Sequence, residues 1–266
     1  MTMPAGSEVY TTDAGPVRAR GVSINEDELQ TALTARVASI VWDEAGTAEM
    51  KALLDGIATT QFEEERLRSV ISSSPDPEDW RVGEALAEAY LCDHRNCEFP
   101  WPGGRDLKNP KASPAGTDLV GFQASVDDNG ARFAFAEVKT SQEGKWPPSV
   151  MKGRHGLSQQ LEALRDSEPT KAYLVKYLGH HAAHTPWRYR YKAAAKRYLC
   201  DTTDVSLFGL LVRDVEPKEA DLKRRAEVLA DKCPEATSIE LQAMYLPIGC
   251  ISTLPNRTKA AKEALG

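Results

Sequence analysis

A carboxylate and an ammonium group lie two residues apart in an otherwise apolar run of the chain. In Arg132-Phe-Ala-Phe-Ala-Glu-Val-Lys139, the only charges after the first residue are Glu137 and Lys139. Alternate residues of a β-strand face the same way, so these two side chains are predicted to project side by side. The residues expected to face the opposite layer are Ala134, Ala136 and Val138. Because burying charges is costly unless they pair or bind a ligand, we expect a functional reason for them.

A second carboxylate precedes this run. Asp118 stands near the start of Gly116-Thr-Asp-Leu-Val-Gly-Phe122, and Asn129-Gly130 separates the two runs. Asn-Gly between β-type runs is a strong hairpin signal, so Asp118–Val126 and Arg132–Thr140 predict an antiparallel pair. Asp118 then reaches the same end of the sheet as Glu137. Together these groups predict an oxygen-rich site suited to Mg²⁺, for which Mn²⁺ could substitute.

The elements that must position these groups alternate between helix and strand. Before the hairpin, the patterns predict a short strand near Pro16–Ser23, two or three helices from Glu26 to about Ser73, and a helix from about Pro77 to Cys92 capped by Asp76. After it they predict helices over Ser149–Arg165, Trp187–Leu199 and Pro217–Lys232, and strands over Lys171–Leu178, Val205–Val212 and Ile239–Ile248. This order indicates an α/β fold with a mixed central sheet flanked by helices.

Charge divides the chain unevenly. Residues 1–100 carry 8 basic and 19 acidic side chains, whereas residues 101–266 carry 25 basic and 20 acidic ones. We therefore separate an acidic, mostly helical N-terminal region, residues 1–78, from a domain over residues 79–266. Because phosphate binding depends on local charge, the overall charge of −6 does not exclude DNA as a partner.

Composition favours an ordinary globular protein. With 266 residues, 41% of them hydrophobic, the chain has room for a sizeable core. No apolar run approaches the roughly 20 residues that span a bilayer, and the first 25 residues lack a signal-peptide pattern. Five scattered cysteines are interpreted as reduced thiols. We expect a cytoplasmic protein without a membrane partner.

In their order and context, three motifs resemble the signature of the PD-(D/E)XK nucleases. They are Gly83-Glu84 on a helix, Gly116-Thr-Asp118, and Glu137-Val-Lys139, and the resemblance covers about Trp80–Leu178. It implies a restriction-endonuclease-like core and Mg²⁺-dependent hydrolysis of DNA phosphodiester bonds. The metal ligands that it implies are Glu84, Asp118, Glu137 and the carbonyl oxygen of Val138.

The same resemblance gives roles to two further residues. Lys139 would orient or deprotonate the attacking water, and Gln160, favoured over its neighbour Gln159, would support water or substrate. Thr117 stands where the family often has proline. For Glu84 an alternative stays open, since Glu84 and Glu88 lie one helical turn apart and could form a solvated pair.

A basic and aromatic segment, Trp187-Arg-Tyr-Arg-Tyr-Lys192 extended by Lys196, Arg197 and Tyr198, suits DNA binding through phosphate neutralisation and base stacking. Its candidate DNA contacts are Arg188, Arg190 and Lys192, but a helix with a buried aromatic face and a solvated basic face explains the segment equally well. Beside the helix that carries Gln160, further candidates are Lys145, Lys152, Arg154 and Arg165.

Two other groups of residues could bind metal. Cys92, His94 and Cys97 offer three ligands without a nearby fourth, so we interpret them as unligated. His180, His181 and His184 are interpreted as a loop before Pro186.

The general layout resembles the nuclease subunit of the Hachiman antiphage defence system, which works beside a helicase. This implies an effector nuclease that a protein partner controls, and a partner is expected because the sequence shows no base-recognition module that could restrict cleavage. We expect the partner on residues 1–78 because their acidic charge lies outside the catalytic motifs and their predicted helices offer an amphipathic surface. Two alternatives stay open. One is a restriction-type or junction-resolving nuclease acting alone or as a dimer, and the other is a non-catalytic DNA-binding or scaffold protein.

Overall fold

A mixed sheet runs through the middle of the protein. The computed structural model describes residues 2–71, 76–106, 116–124 and 130–264, and within these ranges the sheet has seven strands in the order β1-β2-β7-β6-β5-β4-β3. Their bounds are β1 (Ser7–Thr11), β2 (Val17–Ser23), β3 (Cys97–Glu98), β4 (Leu119–Ala124), β5 (Ala131–Ser141), β6 (Val205–Arg213) and β7 (Ser238–Tyr245). The central pairs β2–β7, β7–β6 and β6–β5 are parallel, and the outer pairs are antiparallel. The predicted α/β fold with a mixed sheet is confirmed.

Helices cover both faces of this sheet. Their bounds are α1 (Glu26–Ala32), α2 (Ala38–Val41), α3 (Glu44–Leu53), α4 (Gln61–Ile71), α5 (Asp79–His94), α6 (Leu157–Asp166), α7 (Glu168–Ala182), α8 (Arg188–Cys200), α9 (Lys223–Ala230) and α10 (Leu254–Glu263), with a π-helical stretch over Leu33–Val37. One hydrophobic core packs helices α1, α5 and α10 against one face of the sheet. A second core packs helices α6, α7, α8 and α9 against the other face. None of the helices in the ranges described is long and apolar enough to cross a membrane.

Strand β5 contributes to both cores by alternation. Ala134, Ala136 and Val138 pack towards α5, while Phe133 and Phe135 pack towards α6 to α8. The predicted hairpin is confirmed, because β4 and β5 pair antiparallel with Leu119 opposite Ala136. Its turn, including Asn129, lies outside the described residues, as do the end of the predicted first strand at Val126 and the Ser72–Pro75 linker.

The N-terminal residues contribute strands as well as helices. The strand predicted near Pro16–Ser23 is confirmed as β2, which pairs with β7 over seven positions. An additional strand, β1, is not predicted by the sequence pattern, because Ser7–Thr11 is a short, largely exposed edge strand with no apolar alternation to mark it. The N-terminal region is thus helical only from Glu26 onwards, and its first part shares the sheet with the rest of the chain.

The strand predicted over Lys171–Leu178 is wrong, because these residues belong to α7. The Ser167 hydroxyl accepts a hydrogen bond from the backbone N–H of Thr170, and Pro169 occupies the first turn, which is a strong helix start. His180 and His181 lie in the same helix, so the loop interpretation fails for them, and His184 follows in a turn. The side chains that α7 buries recur at helical spacing: Lys171, Leu174, Leu178 and Ala182.

Three predicted helices have different limits. Ser149–Arg165 is not continuous, since a 3₁₀ turn over Ser149–Met151 is separated from α6 by Gly153 in the left-handed region at φ 80°. The helix predicted over Pro217–Lys232 is a 3₁₀ turn, Glu219–Asp221, followed by α9. Helix α5 begins at Asp79 after Glu78, so Asp76 is not its N-cap.

Candidate active site

Asp118 lies where the β4–β5 ladder ends. Since Leu119 pairs with Ala136, Asp118 stands beside Glu137, and its Oδ2 accepts a hydrogen bond of 2.7 Å from the backbone N–H of Val138. The N–H and C=O of a strand residue point to the same edge, so the carbonyl of Val138 also faces the space beyond the start of β4. The ladder therefore ends with a carboxylate fixed beside the Val138 carbonyl.

The structure brings Asp118, Glu137 and Lys139 together. The Nζ atom of Lys139 is 3.9 Å from Oδ2 of Asp118 and 3.7 Å from Oε2 of Glu137. Only 3% of the Glu137 side chain is exposed, against 19% for each of the other two. One ammonium group thus faces two carboxyl groups in a mostly buried position, as the alternation of β5 predicts.

Burial and proximity shift the titration of both acids. Burial, reinforced by the charge of Asp118, raises the pKa of Glu137 to about 8. Burial also raises the pKa of Asp118, although Lys139 and the Val138 N–H oppose that shift. Two buried carboxyl groups beside a single lysine leave a surplus of negative charge when both ionise. A cation would relieve this surplus.

Two buried oxygen atoms support the same conclusion. Oε2 of Glu137 and Oε1 of Gln160 find no hydrogen-bond partner among the atoms that the structure describes. A buried polar atom without a partner costs free energy, and a bound ligand is one explanation for such an atom. Both residues line an open cavity of about 490 Å³. Gln159, by contrast, is exposed, so the geometry favours Gln160 of the two predicted candidates.

The donor set fits a hard cation that keeps part of its water shell. Within the ranges described, no group of three or more His, Cys, Asp or Glu side chains is arranged to hold a metal ion. Asp118, Glu137 and the Val138 carbonyl would therefore supply the protein ligands, and water would complete the shell. Mg²⁺ commonly binds in this way, through one or two carboxylates and several waters.

Glu84 approaches the same centre from α5. Gly83 lets this helix come close to β5, since a Cβ at that position would lie 2.0 Å from Oγ1 of Thr140. Burial, together with the charge of Asp118, raises the pKa of Glu84 to about 7, and its Oε2 accepts a hydrogen bond of 3.1 Å from Arg81. The alternative of a solvated Glu84–Glu88 pair is wrong, because both residues are buried. Glu84 is close enough to influence the carboxylates electrostatically, and its pairing with Arg81 makes it a weaker candidate ligand than Asp118 or Glu137.

The raised pKa of Glu137 leads to a prediction about stability. With an ordinary value of 4.5 in the unfolded chain and about 8 in the folded one, Glu137 keeps its proton only in the folded state between these values. The metal-free protein should therefore lose stability as pH rises from 4.5 to 8. Glu137→Gln removes this loss, so we expect the variant to melt at least about 3 °C above wild type at pH 8 and within about 2 °C of it at pH 5.

Thermal unfolding in EDTA measures this effect, and Glu235→Gln on an exposed turn is the control. Added Mg²⁺ should raise the melting temperature of wild type at pH 8 but not that of Glu137→Gln. If the melting temperatures of Glu137→Gln and wild type differed by the same amount at pH 5 and pH 8, the raised pKa of Glu137 could not be the cause of the difference.

The basic and aromatic segment forms the start of α8. Trp187, Tyr191 and Tyr198 pack against Phe122 or Phe133, so the base-stacking interpretation is wrong for these rings. The segment follows the alternative of a helix with a buried aromatic face. Its exposed basic residues are Arg188 and Lys192, whereas Arg190 pairs with Glu98.

The other predicted phosphate contacts differ in accessibility. Lys152 and Arg154 are exposed in the loop before α6. Lys145 is exposed and pairs with Glu143. Arg165 is buried and donates hydrogen bonds to the carbonyls of Val228, Leu229 and Asp231, so it caps α9 and its assignment as a phosphate contact is wrong.

The two other metal candidates are engaged in packing. A ring nitrogen of His94 lies 2.9 Å from the carbonyl oxygen of Met3, and the His181 ring stacks on Trp101 at 4.0 Å. Cys92 is partly buried and Cys97 is buried, and both are free thiols. Nothing in the geometry of the described residues assembles either group around a common centre.

The walls of the cavity beside Glu137 are not predicted by the sequence pattern. Thr117 donates a hydrogen bond to Glu137, and its position immediately before Asp118 was the available signal. The remaining walls come from α6 and α7, and they include Leu174 and the exposed ring of Tyr173. A strand over Lys171–Leu178 would not place these residues beside Glu137, so the sequence pattern does not predict this wall.

Comparison with protein-family models and with curated proteins finds no match to this chain.

Proposed function

We propose that the protein is a divalent-metal-dependent deoxyribonuclease of the PD-(D/E)XK kind, with a restriction-endonuclease-like core. One observation carries the proposal: beyond the start of β4, Lys139 faces Asp118 and Glu137 within 4 Å, and a buried oxygen of Glu137 accepts no hydrogen bond from the described part of the chain. The centre is rich in acidic oxygen and holds a single ammonium group, which suits phosphodiester hydrolysis with a cation.

Asp118, Glu137 and the carbonyl of Val138 would hold Mg²⁺. When bound, Mg²⁺ supplies a water of lowered pKa and offsets negative charge on the phosphate. Lys139, which can only donate hydrogen bonds, orients the water oxygen towards phosphorus, and the Gln160 side chain holds water or substrate at the cavity wall. The water oxygen bonds to phosphorus and the P–O bond to the leaving oxygen breaks, its electron pair staying on that oxygen. The proton that the water loses passes to solvent, and the leaving oxygen takes one from solvent, so that a phosphate monoester and a hydroxyl group result.

The direct test is cleavage of plasmid and linear DNA by the purified chain. Cleavage should require Mg²⁺ or Mn²⁺ and stop when EDTA is added. Cleavage that persists in EDTA, or a failure of both metals to support any cleavage with and without the co-encoded partner, would contradict the proposed function.

The exposed basic side chains of α8 lead to a prediction about DNA affinity. The substitutions Arg188→Ala and Lys192→Ala together should reduce the slope of log affinity against log salt concentration by about 1.5, since each lost phosphate contact removes about 0.7 to 0.9. Arg190→Ala should change the slope less, because its guanidinium already pairs with Glu98.

Affinity measured across a salt series decides this. The control is Lys223→Ala with Arg224→Ala on α9, two exposed residues paired with Glu219 and Glu227. A slope identical to that of wild type for the α8 double variant would leave α8 with a structural role only.

We also propose that a protein partner, such as a co-encoded helicase in an antiphage defence system, controls the nuclease through the N-terminal region. Helices α3 and α4, whose residues are all described, bury none of their side chains. Together with the turn between them, these helices expose large apolar groups: Met50, Leu53, Ile57, Phe62 and Val70. Such a concentration of exposed apolar side chains is typical of a protein contact surface.

A further inference from the structure

The cavity beside Glu137 has walls from two helices. Gln160, Ala163 and Leu164 lie on one face of α6, and the first turns of α7 contribute the opposite wall. The residues from α7 are Pro169, Thr170, Tyr173 and Leu174. At about 490 Å³ the cavity falls in the range that accepts small organic groups.

The chemistry of the lining limits what can enter. Glu137 is the charged residue of the lining, and none of the described residues that form it is basic. A phosphate group would therefore meet a carboxyl group without a compensating cation from these walls. The walls are otherwise apolar or neutral, and they suit a flat, uncharged group.

Tyr173 gives the cavity an aromatic rim. Its side chain is 72% exposed, although the next residue of α7, Leu174, is buried. An exposed aromatic ring beside an apolar cavity is the arrangement on which unpaired nucleobases stack. Because Glu137 belongs to both the cavity and the proposed metal site, a group in the cavity would be only a short distance from the phosphate that is cleaved.

We propose that this cavity, which we call the base pocket, receives one unpaired nucleobase next to the scissile phosphate. The inference rests on the proposed nuclease function and adds the substrate class, which is single-stranded or locally unpaired DNA. A base inside a duplex is paired and stacked, so it must leave the helix to enter. Apart from Glu137, the polar side chains of its lining are hydroxyls and one amide, which can each donate or accept a hydrogen bond, so the base pocket holds bases with little preference for their identity.

Binding tests the pocket independently of cleavage. The protein is the Lys139→Ala variant, in which the pocket lining is unchanged. It is mixed with a set of single-stranded oligonucleotides, each of which carries one 2-aminopurine at a different position. We expect fluorescence quenching at one position of the bound single strand, an affinity about tenfold higher than for the matching duplex, and a loss of both in Tyr173→Ala. Tyr173→Phe keeps the ring and should bind within twofold of the background protein.

A second variant approaches the pocket from the other helix. Ala163→Phe fills the space from α6 without removing any lining group, and it should weaken single-strand binding about tenfold while leaving duplex binding unchanged. Phe62→Ala removes a matched exposed ring on α4 and should change neither affinity. Equal affinity for single strand and duplex, or full single-strand affinity in both Tyr173→Ala and Ala163→Phe, would overturn the proposal.

Cleavage rates separate this inference from the proposed function. In Mg²⁺, the ratio of single-strand to duplex cleavage should fall about tenfold in Tyr173→Ala. Metal-dependent cleavage with an unchanged ratio would reject the base pocket and keep the nuclease. A chain that cleaves neither form would reject the nuclease, while the fluorescence measurement would still decide whether the pocket binds a base.

Discussion

Glu137→Ala is expected to reduce Mg²⁺-dependent DNA cleavage by about 10²- to 10⁴-fold, and Lys139→Ala by a similar factor. The first substitution removes a proposed metal ligand, and the second removes the only ammonium group that the described structure places within 4 Å of both carboxylates. The fold should persist, because the apolar face of β5 is formed by its alternate residues. Single-turnover cleavage rates measure the loss, and circular dichroism checks the fold.

Asp118→Asn completes this series. The amide oxygen can still accept the hydrogen bond from Val138, so the substitution removes charge more than structure. It should also reduce the cleavage rate by at least about 10²-fold. Glu219→Ala with Lys223→Ala, an exposed ion pair at the start of α9, is the control for loss of both charge types. Undiminished cleavage by folded Glu137→Ala or Lys139→Ala would remove these residues from the mechanism.

Deleting residues 1–24 is expected to unfold the protein. This segment includes β1 and β2, and it buries Met3, Val17, Val22 and Ile24 to 7% exposure or less. At roughly 1.5–3 kcal/mol for each of these side chains, the loss is roughly 6–12 kcal/mol, which matches the whole stability of an ordinary domain. The deletion would also leave β7 with an open edge that promotes aggregation.

Thermal unfolding of the shortened chain measures this prediction. Leu53→Glu in the full-length chain is the control, because that side chain is 74% exposed and its replacement should shift the melting temperature little. Cooperative unfolding of the deletion variant at the wild-type temperature would contradict the role of β2 in the core. Regulation of the nuclease by a protein partner is therefore better tested with substitutions on α3 and α4 in the full-length chain than by deleting the N-terminal residues.

The hairpin and the three central residues could be predicted because local rules determine them. The period of two along β5 puts Glu137 and Lys139 on one side and Ala136 and Val138 on the other, whatever the rest of the chain does. The start of β4 likewise follows from the Gly116-Thr-Asp118 sequence. These features need only neighbouring residues to form.

Other features depend on packing between distant elements. The apolar run Ala172-Tyr-Leu-Val175 is compatible with a strand, and only the Ser167 cap and the contacts of α7 select the helix. The base pocket exists because α6 and α7 pack beside each other, so no single motif encodes it. The burial of Glu84 and Glu88 likewise depends on the approach of α5 to β5, which a helical pattern alone does not specify.

The pairing of β2 with β7 also affects when the protein can complete its fold during synthesis. Arg20 and Gln242, which pair in this ladder, are separated by 222 residues of sequence. At 5–20 residues per second, roughly 10–45 s pass between synthesis of the two strands. During that time β1 is the only strand of the described sheet order that can pair with β2, and such long-range closure is intrinsically slow. The nascent chain is therefore most exposed to aggregation and to chaperone binding until its last strand leaves the ribosome.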